Sequence, residues 1–309
     1  MSSITVAQIS KKYSASDPAY ALQDINLDVQ KGELFGLIGP DGAGKTTLFR
    51  ILTTLLLANS GSATVQGYDV VKDYLKIRRI VGYMPGRFSL YQDLTVKENL
   101  QFFATIFNTT IAANYDLIRD IYVQLEPFES RRAGALSGGM KQKLALCCAL
   151  IHRPEVLFLD EPTTGVDVVS RKEFWQMLYR LRDEGITIFV STPYMDEASL
   201  CDRIALIQEG QLFSVDTPQN LLDNFSHTIW AVKAQNMFAL LKTLSVHPHV
   251  ASAYSFGEFH HVILSHPGLS IDQLAEELTA AGHTSLVSRE TEPTIEDCFL
   301  EFMTEKQGA

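Results

Sequence analysis

The sequence has 309 residues, of which 20% are charged and 46% are hydrophobic, an ordinary balance for a globular protein rather than a disordered one. This length suits one large domain, or a medium domain together with a small one. The net charge of −10 argues against nucleic acid as the main partner, because such a partner calls for a basic surface.

The cysteines and the apolar segments set further limits. The cysteines lack CxxC spacing, so we expect reduced cytosolic thiols rather than disulfides or a zinc site. They are Cys147, Cys148, Cys201 and Cys298. No apolar stretch reaches the roughly 18–20 residues that cross a bilayer, and Met1–Thr5 does not begin a signal peptide. If the protein serves transport, we expect the membrane-spanning part on another chain.

The first elements in chain order indicate an antiparallel sheet. Alternating segments at 4–9 and 20–29 predict two strands, and Lys31-Gly32 predicts the turn that follows. An apolar strand at 33–38 then runs into a glycine-rich loop. A helix is predicted from Thr46 to Leu57, closed by Ser60-Gly61.

Strands and helices alternate further along the chain. The capping-box pattern Thr95-Val-Lys-Glu98 predicts the start of a helical insert. Buried strands are predicted at 80–84, 156–159, 187–191 and 204–208. This alternation indicates an α/β fold, a mostly parallel sheet with helices on both faces.

The composition changes after Phe225. Residues 226–309 contain 4 Lys/Arg, 10 Asp/Glu and seven of the eight histidines. The pattern predicts the order βαββαβ, which is typical of a small ferredoxin-like α+β domain. We therefore predict two domains, at 1–225 and 226–309.

The glycine-rich loop has the form GxxxxGK[ST]. In this form backbone N–H groups converge on phosphates, the lysine reaches the β- and γ-phosphates, and the hydroxyl ligates Mg²⁺. A nucleotide and Mg²⁺ are therefore the expected ligands of this loop, with Lys45 and Thr46 in these two roles. The predicted binding residues are Gly39, Pro40, Asp41, Gly42, Ala43, Gly44, Lys45, Thr46 and Thr47.

Two carboxylates, Asp160 and Glu161, end the apolar strand at 156–159. Asp160 is predicted to hold Mg²⁺ through water. Glu161 is the candidate general base that orients and deprotonates the attacking water. The alternative is an exposed acidic pair at a strand end.

The run Leu136-Ser137-Gly138-Gly139-Met140 stands between these two motifs. In this order the motifs resemble the ATP-binding subunit of an ABC transporter, from about Ile4 to Phe225. The resemblance implies a RecA-like P-loop core, an antiparallel β-subdomain and a helical subdomain at about 95–150. The C-terminal domain, with its run Glu292–Phe299, is similar to the regulatory or dimerisation appendage of drug- and lipid-exporting members.

The resemblance also implies partners and further site residues. Ser137, Gly138 and Gly139 would face the γ-phosphate of ATP bound to a second ATP-binding subunit, a homodimer or heterodimer partner. Asp167 would lie at the dimer seam. Tyr13 would stack on adenine, with Tyr20 as the alternative. Integral membrane permease subunits are expected as partners at the cytoplasmic face of the cell membrane. Their coupling helix would enter a groove at Phe88–Leu94 and Phe102-Phe103.

Two positions depart from the family pattern. Gly86 stands where the family usually has Gln, and Pro193 stands where it usually has His. One hypothesis is an exporter ATPase that hydrolyses ATP slowly. The other is a subunit that binds ATP with little or no turnover beside a catalytically complete partner. A non-transport ABC protein is disfavoured, because the chain holds one nucleotide domain and no heptad run.

The histidines of the C-terminal segment are interpreted as scattered polar residues. His247-Pro-His249 and His260-His261 lack the usual metal-ligand spacing, and no carboxylate or cysteine clusters with them in the sequence.

Overall fold

The computed structural model describes residues 1–14, 19–266, 268 and 270–307. The chain divides into two compact units, Met1–Gln219 and Asn220–Ala309. Residues 308 and 309, the end of the small domain predicted over 226–309, lie outside the described residues.

The strands of the first unit form two sheets. They are β1 (Ser2–Lys11), β2 (Leu22–Gln30), β3 (Leu34–Ile38), β4 (Ser60–Val65), β5 (Tyr68–Asp69), β6 (Val81–Met84), β7 (Val156–Asp160), β8 (Thr187–Thr192), β9 (Arg203–Gln208) and β10 (Gln211–Asp216). The antiparallel sheet has the order β2-β1-β4-β5, and the second sheet has the order β10-β9-β3-β8-β7-β6. In the second sheet β9, β3, β8, β7 and β6 are parallel, and only β10 is antiparallel to its neighbour.

The helices that end in the first unit follow the α/β alternation. They are α1 (Lys45–Leu52), α2 (Tyr74–Ile80), α3 (Val96–Ile106), α4 (Tyr115–Tyr122), α5 (Gly138–Leu150) and α6 (Val168–Asp183). A further helix, α7 (Pro218–Asp223), crosses the boundary between the units. Short 3₁₀ stretches lie at Ala112–Asn114, Glu126–Phe128, Ala133–Ala135 and Met195–Leu200. No helix in the described part of the chain has the length and apolar character to cross a bilayer.

The predicted start of α3 is confirmed. The Glu98 amide donates to Thr95 Oγ1 at 3.2 Å, and the Thr95 amide donates to Glu98 Oε2 at 2.8 Å. These reciprocal bonds form the capping box, which satisfies two backbone donors that the helix itself leaves free.

The predicted end of α1 is wrong, because the helix stops at Leu52 rather than Leu57. The Thr53 hydroxyl donates to the Phe49 carbonyl at 2.7 Å, and Thr54 has a φ of 65°. A residue in the left-handed region ends a helix. Ser60 and Gly61 then belong to β4 and do not close α1.

An aromatic cluster fixes α1 to the centre of the parallel sheet. The ring centroid of Phe49 on α1 lies 4.8 Å from that of Phe189 on β8 and 5.7 Å from that of Phe158 on β7. Phe35 on β3 meets Phe189 at 5.3 Å. All four side chains are fully buried. Burial of rings this large is a dominant source of core stability, so the start of α1 has a defined place above the strand ends.

The second unit has its own sheet and core. It contains β11 (Ile229–Lys233), α8 (Met237–Leu244), β12 (Val250–Phe256), β13 (Phe259–Leu264), α9 (Ile271–Ala280), β14 (Val287–Thr291) and α10 (Ile295–Gln307). The four strands are antiparallel in the order β12-β13-β11-β14. The element order is the βαββαβ order that the sequence predicts, followed by α10.

A buried carboxylate joins α10 to the sheet of the second unit. Asp297 Oδ2 accepts from the Thr294 amide at 2.6 Å, and Asp297 Oδ1 lies 2.7 Å from His261 Nδ1. The Tyr254 hydroxyl also donates to Asp297. Burial, and then the hydrogen bond to Asp297, raise the pKa of Tyr254. The Thr294 hydroxyl donates to Asp297 Oδ2 as well, so Asp297 is an acceptor for three side chains and one amide.

We predict that Asp297→Asn lowers the free energy of unfolding of the second unit by about 3 kcal/mol, because it leaves buried donors facing an amide. The measurement is urea denaturation followed by Trp230 fluorescence in a Trp175→Phe background, since these are the two tryptophans of the chain.

The matched control for Asp297 is Glu258→Gln. Glu258 pairs with Lys233 at 2.8 Å on the exposed surface, so we expect its loss to lower the stability much less than Asp297→Asn does. Equal effects of the two substitutions would contradict a special role for Asp297.

Candidate functional site

The carboxyl ends of β3, β7 and β8 meet at one edge of the parallel sheet. The Gly39 amide donates to the Thr192 carbonyl at 3.2 Å, and the Glu161 amide donates to the Ser191 carbonyl at 3.0 Å. Three segments that are distant in the sequence are therefore adjacent: the loop 39–44, the pair Asp160-Glu161, and the end of β8.

The shape of the loop 39–44 depends on glycine at two positions. A Cβ atom on Gly39 would lie 2.0 Å from the Ile207 carbonyl oxygen. Gly44 has a φ of 108°, and a Cβ there would lie 2.4 Å from the Ala21 carbonyl oxygen. Any side chain at either position would push the loop away from the strands. Asp41 and Gly42 are exposed at the tip of the loop.

Lys45 is a buried cation at the start of α1, with only 3% of its surface exposed. Its Nζ donates to the carbonyls of Gly39 at 2.8 Å and Pro40 at 2.9 Å, and it lies 3.1 Å from Glu161 Oε1. The first-turn amides of α1 lack intrahelical acceptors and add positive potential at the same place. The loop is thus a concentrated positive pocket suited to a multiply charged anion.

Asp160 and Glu161 differ in their environments. Asp160 is buried, and its Oδ1 accepts from the Ser191 hydroxyl at 2.7 Å. The Glu161 amide donates to the same hydroxyl oxygen at 3.2 Å, and Glu161 has a φ of 51°. Left-handed backbone at a non-glycine residue is a strain that is common at functional sites. Ser191 therefore holds the Asp160 carboxylate and the Glu161 backbone.

The donor set at this edge suits a hard divalent cation. Asp160, Glu161 and the half-buried Thr46 offer only oxygen atoms, which are the ligands that Mg²⁺ prefers. Ser191 Oγ uses one oxygen of Asp160, and the other is left for a water or a cation.

Tyr13 lies beside the glycine-rich loop. Its hydroxyl is 3.1 Å from Oγ1 of Thr47, the third residue of α1, and 60% of its surface is exposed. An exposed ring face next to an anion pocket is available for stacking on a planar ligand. Tyr20 is also exposed, and the Lys12 ammonium lies 4.2 Å from its ring centroid.

The serine and glycines of the Leu136–Met140 run lie at the start of α5. Ser137 Oγ accepts from the Met140 amide at 3.4 Å, so Ser137 is the N-cap. A Cβ on Gly139 would lie 2.9 Å from Ser170 Oγ. The glycines therefore let α5 pack closely against the start of α6. In the described residues no hydrogen bond or ion pair joins this run to the loop 39–44.

Asp167 caps α6 at the same place. Its Oδ1 accepts from the amides of Ser170 at 3.0 Å and Val169 at 3.1 Å. The Ser170 amide, more than any other group, lowers the pKa of Asp167. The side chain is thus an ionised acceptor that fixes the loop after Glu161.

The two departures from the family pattern both lie at the strand edge. A Cβ on Gly86 would be 3.0 Å from the Asp160 carbonyl oxygen and 3.8 Å from Asp160 Oδ2. Pro193 directly follows β8, next to the Thr192 carbonyl that accepts from Gly39. A side chain at position 86 would therefore approach Asp160, while position 193 lies next to the contact between β8 and the glycine-rich loop.

Sequence reasoning missed Glu197, a fully buried carboxylate in the 3₁₀ stretch after Pro193. Its Oε1 accepts from Thr163 Oγ1 at 2.8 Å and from Trp175 Nε1 at 3.0 Å, and lies 2.8 Å from Arg171 Nε. The Thr192 hydroxyl donates to Oε2. Glu197 therefore ties the end of β8 to the loop after Glu161. The sequence feature that could have pointed to Glu197 is its position four residues after Pro193.

Comparison with known proteins agrees with this geometry. The family model described as "ABC transporter" matches residues 22–164. The "ABC transporter ATP-binding protein NatA" of Bacillus subtilis (strain 168) is 35% identical over 214 residues, which are 68% of this chain and 87% of NatA. The chain belongs to the ABC transporter family.

Two further similarities extend this assignment. The "Probable multidrug ABC transporter ATP-binding protein YbhF" of Escherichia coli (strain K12) is 38% identical over 305 residues, or 97% of this ABC chain. This chain spans about half of YbhF, that is, 52% of the length of YbhF. The structure of cbiO1 from Clostridium perfringens, described as "Part of the ABC transporter complex cbiONQ", superposes with a TM-score of 0.63 at 26% identity. The superposed region covers 72% of this chain and 91% of cbiO1. The predicted RecA-like P-loop fold is confirmed.

We predict that Glu197→Gln in this ABC chain lowers the free energy of unfolding of the first unit by about 3 kcal/mol, because the Arg171 charge loses its buried partner. Urea denaturation followed by Trp175 fluorescence in a Trp230→Phe background measures this.

Asp196→Asn is the matched control, since Asp196 also pairs with Arg171 but is exposed. Its loss costs less than about 1 kcal/mol. A Glu197→Gln variant as stable as Asp196→Asn would show that the buried carboxylate is not structurally needed.

Proposed function

We propose that the chain is the ATPase subunit of an ABC exporter, which binds and hydrolyses MgATP at a dimer interface to drive a separate membrane permease. One observation carries the proposal: the strand edge brings the buried Lys45 ammonium within 3.1 Å of Glu161, beside the buried Asp160 carboxylate. Phosphoryl transfer to water needs a cation, a carboxylate that binds the metal, and a base, and these three groups correspond to them.

Each site residue has a role in this proposal. The amides of 39–47 and the Lys45 ammonium bind the phosphates, which replace Glu161 as the anionic partner of Lys45. Thr46 and Asp160 would hold Mg²⁺, which would supply positive charge beside the phosphates. Glu161, released from Lys45, orients and deprotonates water. Tyr13 stacks on the adenine.

The proposed dimer follows from the position of the Ser137–Gly139 run. These residues form a capped helix start, suited to an anion, on a surface that no described bond connects to the loop 39–44. A second ATP-binding subunit in head-to-tail orientation would bring its phosphate to this helix start. Asp167, which caps the neighbouring α6, would then lie at the seam.

An apolar groove supports the proposed permease contact. A cavity of about 410 Å³ lies between β6 and the helices of the insert, and its lining includes Met84, Leu90, Phe103 and Phe107. The sequence predicts the permease groove at Phe88–Leu94 and Phe102-Phe103, which overlaps this lining. An amphipathic helix of an integral membrane permease is the proposed occupant, at the cytoplasmic face of the cell membrane.

The proposed domain roles follow the same organisation. Residues 1–225 are the ATP-binding domain, with the helical subdomain at about 95–150. Residues 226–309 are a ferredoxin-like regulatory or dimerisation domain, a proposal supported by the separate core and the βαββαβ order. The alternative, a subunit that binds ATP without turnover, is less well supported because Lys45, Thr46, Asp160 and Glu161 are all retained.

The experiment that tests the function is steady-state ATP turnover by the purified chain. We predict measurable hydrolysis that Glu161→Gln lowers by about 10²–10⁴-fold, because the base is lost. ATP binding, measured by equilibrium titration, survives Glu161→Gln and is weakened by Lys45→Ala.

Glu155→Gln, an exposed carboxylate just before β7, is the control and leaves turnover unchanged. If wild type binds ATP but turns over no faster than Glu161→Gln, the hydrolytic proposal fails and the non-hydrolysing alternative replaces it.

A second prediction concerns Gly86. We predict that Gly86→Gln raises turnover about 10-fold, because it restores a polar amide beside Asp160 that can hold the attacking water. Gly86→Ala adds the same Cβ, 3.0 Å from the Asp160 carbonyl, without the amide. A gain in both variants, or in neither, would contradict the role assigned to the amide.

A further inference from the structure

A cluster of metal-ligating side chains lies in the second unit, which contains none of the residues assigned to nucleotide binding. His247 and His249 lie in the turn between α8 and β12, and Glu277 lies on α9. The sequence interpretation, in which no carboxylate accompanies these histidines, is wrong. Folding brings Glu277 to both rings, because α8 and α9 pack into one core through Leu244, Leu274 and Leu278.

The ligand atoms converge on a small volume. Glu277 Oε2 lies 3.0 Å from His247 Nε2 and 3.3 Å from His249 Nδ1. One ligand atom from each of the three residues lies within 4.8 Å of the other two. In a tetrahedral zinc site with bonds of about 2.0–2.1 Å, neighbouring ligand atoms are about 3.3–3.4 Å apart. The distances from Glu277 Oε2 to the two histidine nitrogens are close to this value.

The backbone that carries the two histidines is held in place. The Val250 amide donates to the His247 carbonyl at 3.0 Å, and the Ser265 amide donates to the His249 carbonyl at 3.0 Å. The Ser265 hydroxyl donates to the Pro248 carbonyl at 3.1 Å, and the proline ring restricts the turn itself. His247 is only 13% exposed. The ligands are therefore largely positioned before a cation arrives.

The chemistry of the cluster selects the cation. Two imidazole nitrogens and one carboxylate oxygen suit Zn²⁺, whereas Mg²⁺ and Ca²⁺ prefer oxygen alone. The surrounding segment is acidic, with 4 Lys/Arg against 10 Asp/Glu in residues 226–309, which favours cation binding. The cysteines, which would compete for zinc, are all buried, and burial raises the pKa of the Cys147, Cys148, Cys201 and Cys298 thiols.

We propose that His247, His249 and Glu277 bind one Zn²⁺ ion, with water in the fourth position. The ion joins the α8–β12 turn to α9. The His249 amide donates to His247 Nδ1 at 3.2 Å in the structure. Zinc at His247 Nε2 moves the ring proton to Nδ1, so this contact opens when the ion binds. The opening gives the site a spectroscopic marker that the neutral His247 ring lacks when no zinc is bound.

The test is isothermal titration of the untagged 309-residue chain with ZnCl₂ in excess Mg²⁺, which occupies sites made of oxygen ligands. We expect one zinc per chain, an increase in Tm with zinc, and a Kd at least about 10-fold weaker in His247→Ala and in Glu277→Gln. The imidazole nitrogen resonances of His247 and His249 are expected to shift on zinc addition in wild type.

The matched control is His227→Ala. His227 Nε2 lies 3.1 Å from Glu301 Oε1, so it is a His–Glu pair without a second imidazole. This variant is expected to keep the stoichiometry and the Kd of wild type. The Tm without zinc reports whether each variant is folded, and Glu277→Gln keeps the size of the side chain.

Either of two results would overturn the proposal. One is that the wild-type chain binds no zinc at micromolar concentrations. The other is a folded Glu277→Gln variant that binds zinc as wild type does, which would assign the zinc to other residues. Because Lys45 and Glu161 are unchanged in every variant, ATP binding reports separately on the proposed ATPase site.

Discussion

The parallel pairing of β3 with β8 and of β8 with β7 is the constraint on which the site depends. Parallel strands end at the same edge, so the segments that follow them must meet there. The register is fixed by side chains that are buried on both faces, above all the rings of Phe49, Phe158 and Phe189. The same core that stabilises the sheet therefore sets the distance from Lys45 to Glu161.

Burial makes the charges at this edge interdependent. A buried cation or carboxylate is costly unless it is paired and hydrogen-bonded. Lys45 is paired with Glu161 and bonded to two carbonyls, whereas Asp160 accepts one hydrogen bond from Ser191 and keeps an oxygen for a water or a cation. The Glu161 side chain is 22% exposed, whereas that of Lys45 is 3% exposed. It is the group that an arriving anion can displace at the smallest cost.

Gly86 and Pro193 do not supply the amide and imidazole groups that the family usually has at these positions, yet the backbone contacts of this edge are present. The Gly39 amide still reaches the end of β8, and the buried Glu197 still joins β8 to the loop after Glu161. The local geometry is thus maintained by a carboxylate outside the nucleotide motifs. In the second unit Asp297 has the same kind of role for α10, since it also collects several donors on one buried carboxylate.

The sequence by itself determined the features that depend on local spacing. The loop 39–46, the Asp160-Glu161 pair, the helix start at Ser137, the capping box at Thr95 and the βαββαβ order are all patterns within short windows. Hydrophobic periodicity and turn chemistry act over such windows, so these features are readable without coordinates.

Tertiary structure alone decided which distant side chains meet. Glu197 is recognisable as a network centre only when β8, α6 and the loop after Glu161 are adjacent. Glu277 joins His247 and His249 only because α8 and α9 share a core. The early end of α1 depends on the turn at Thr54, whose left-handed backbone a smooth helical pattern does not indicate. In each case the deciding contact lies between elements, or in a backbone conformation that side-chain polarity does not encode.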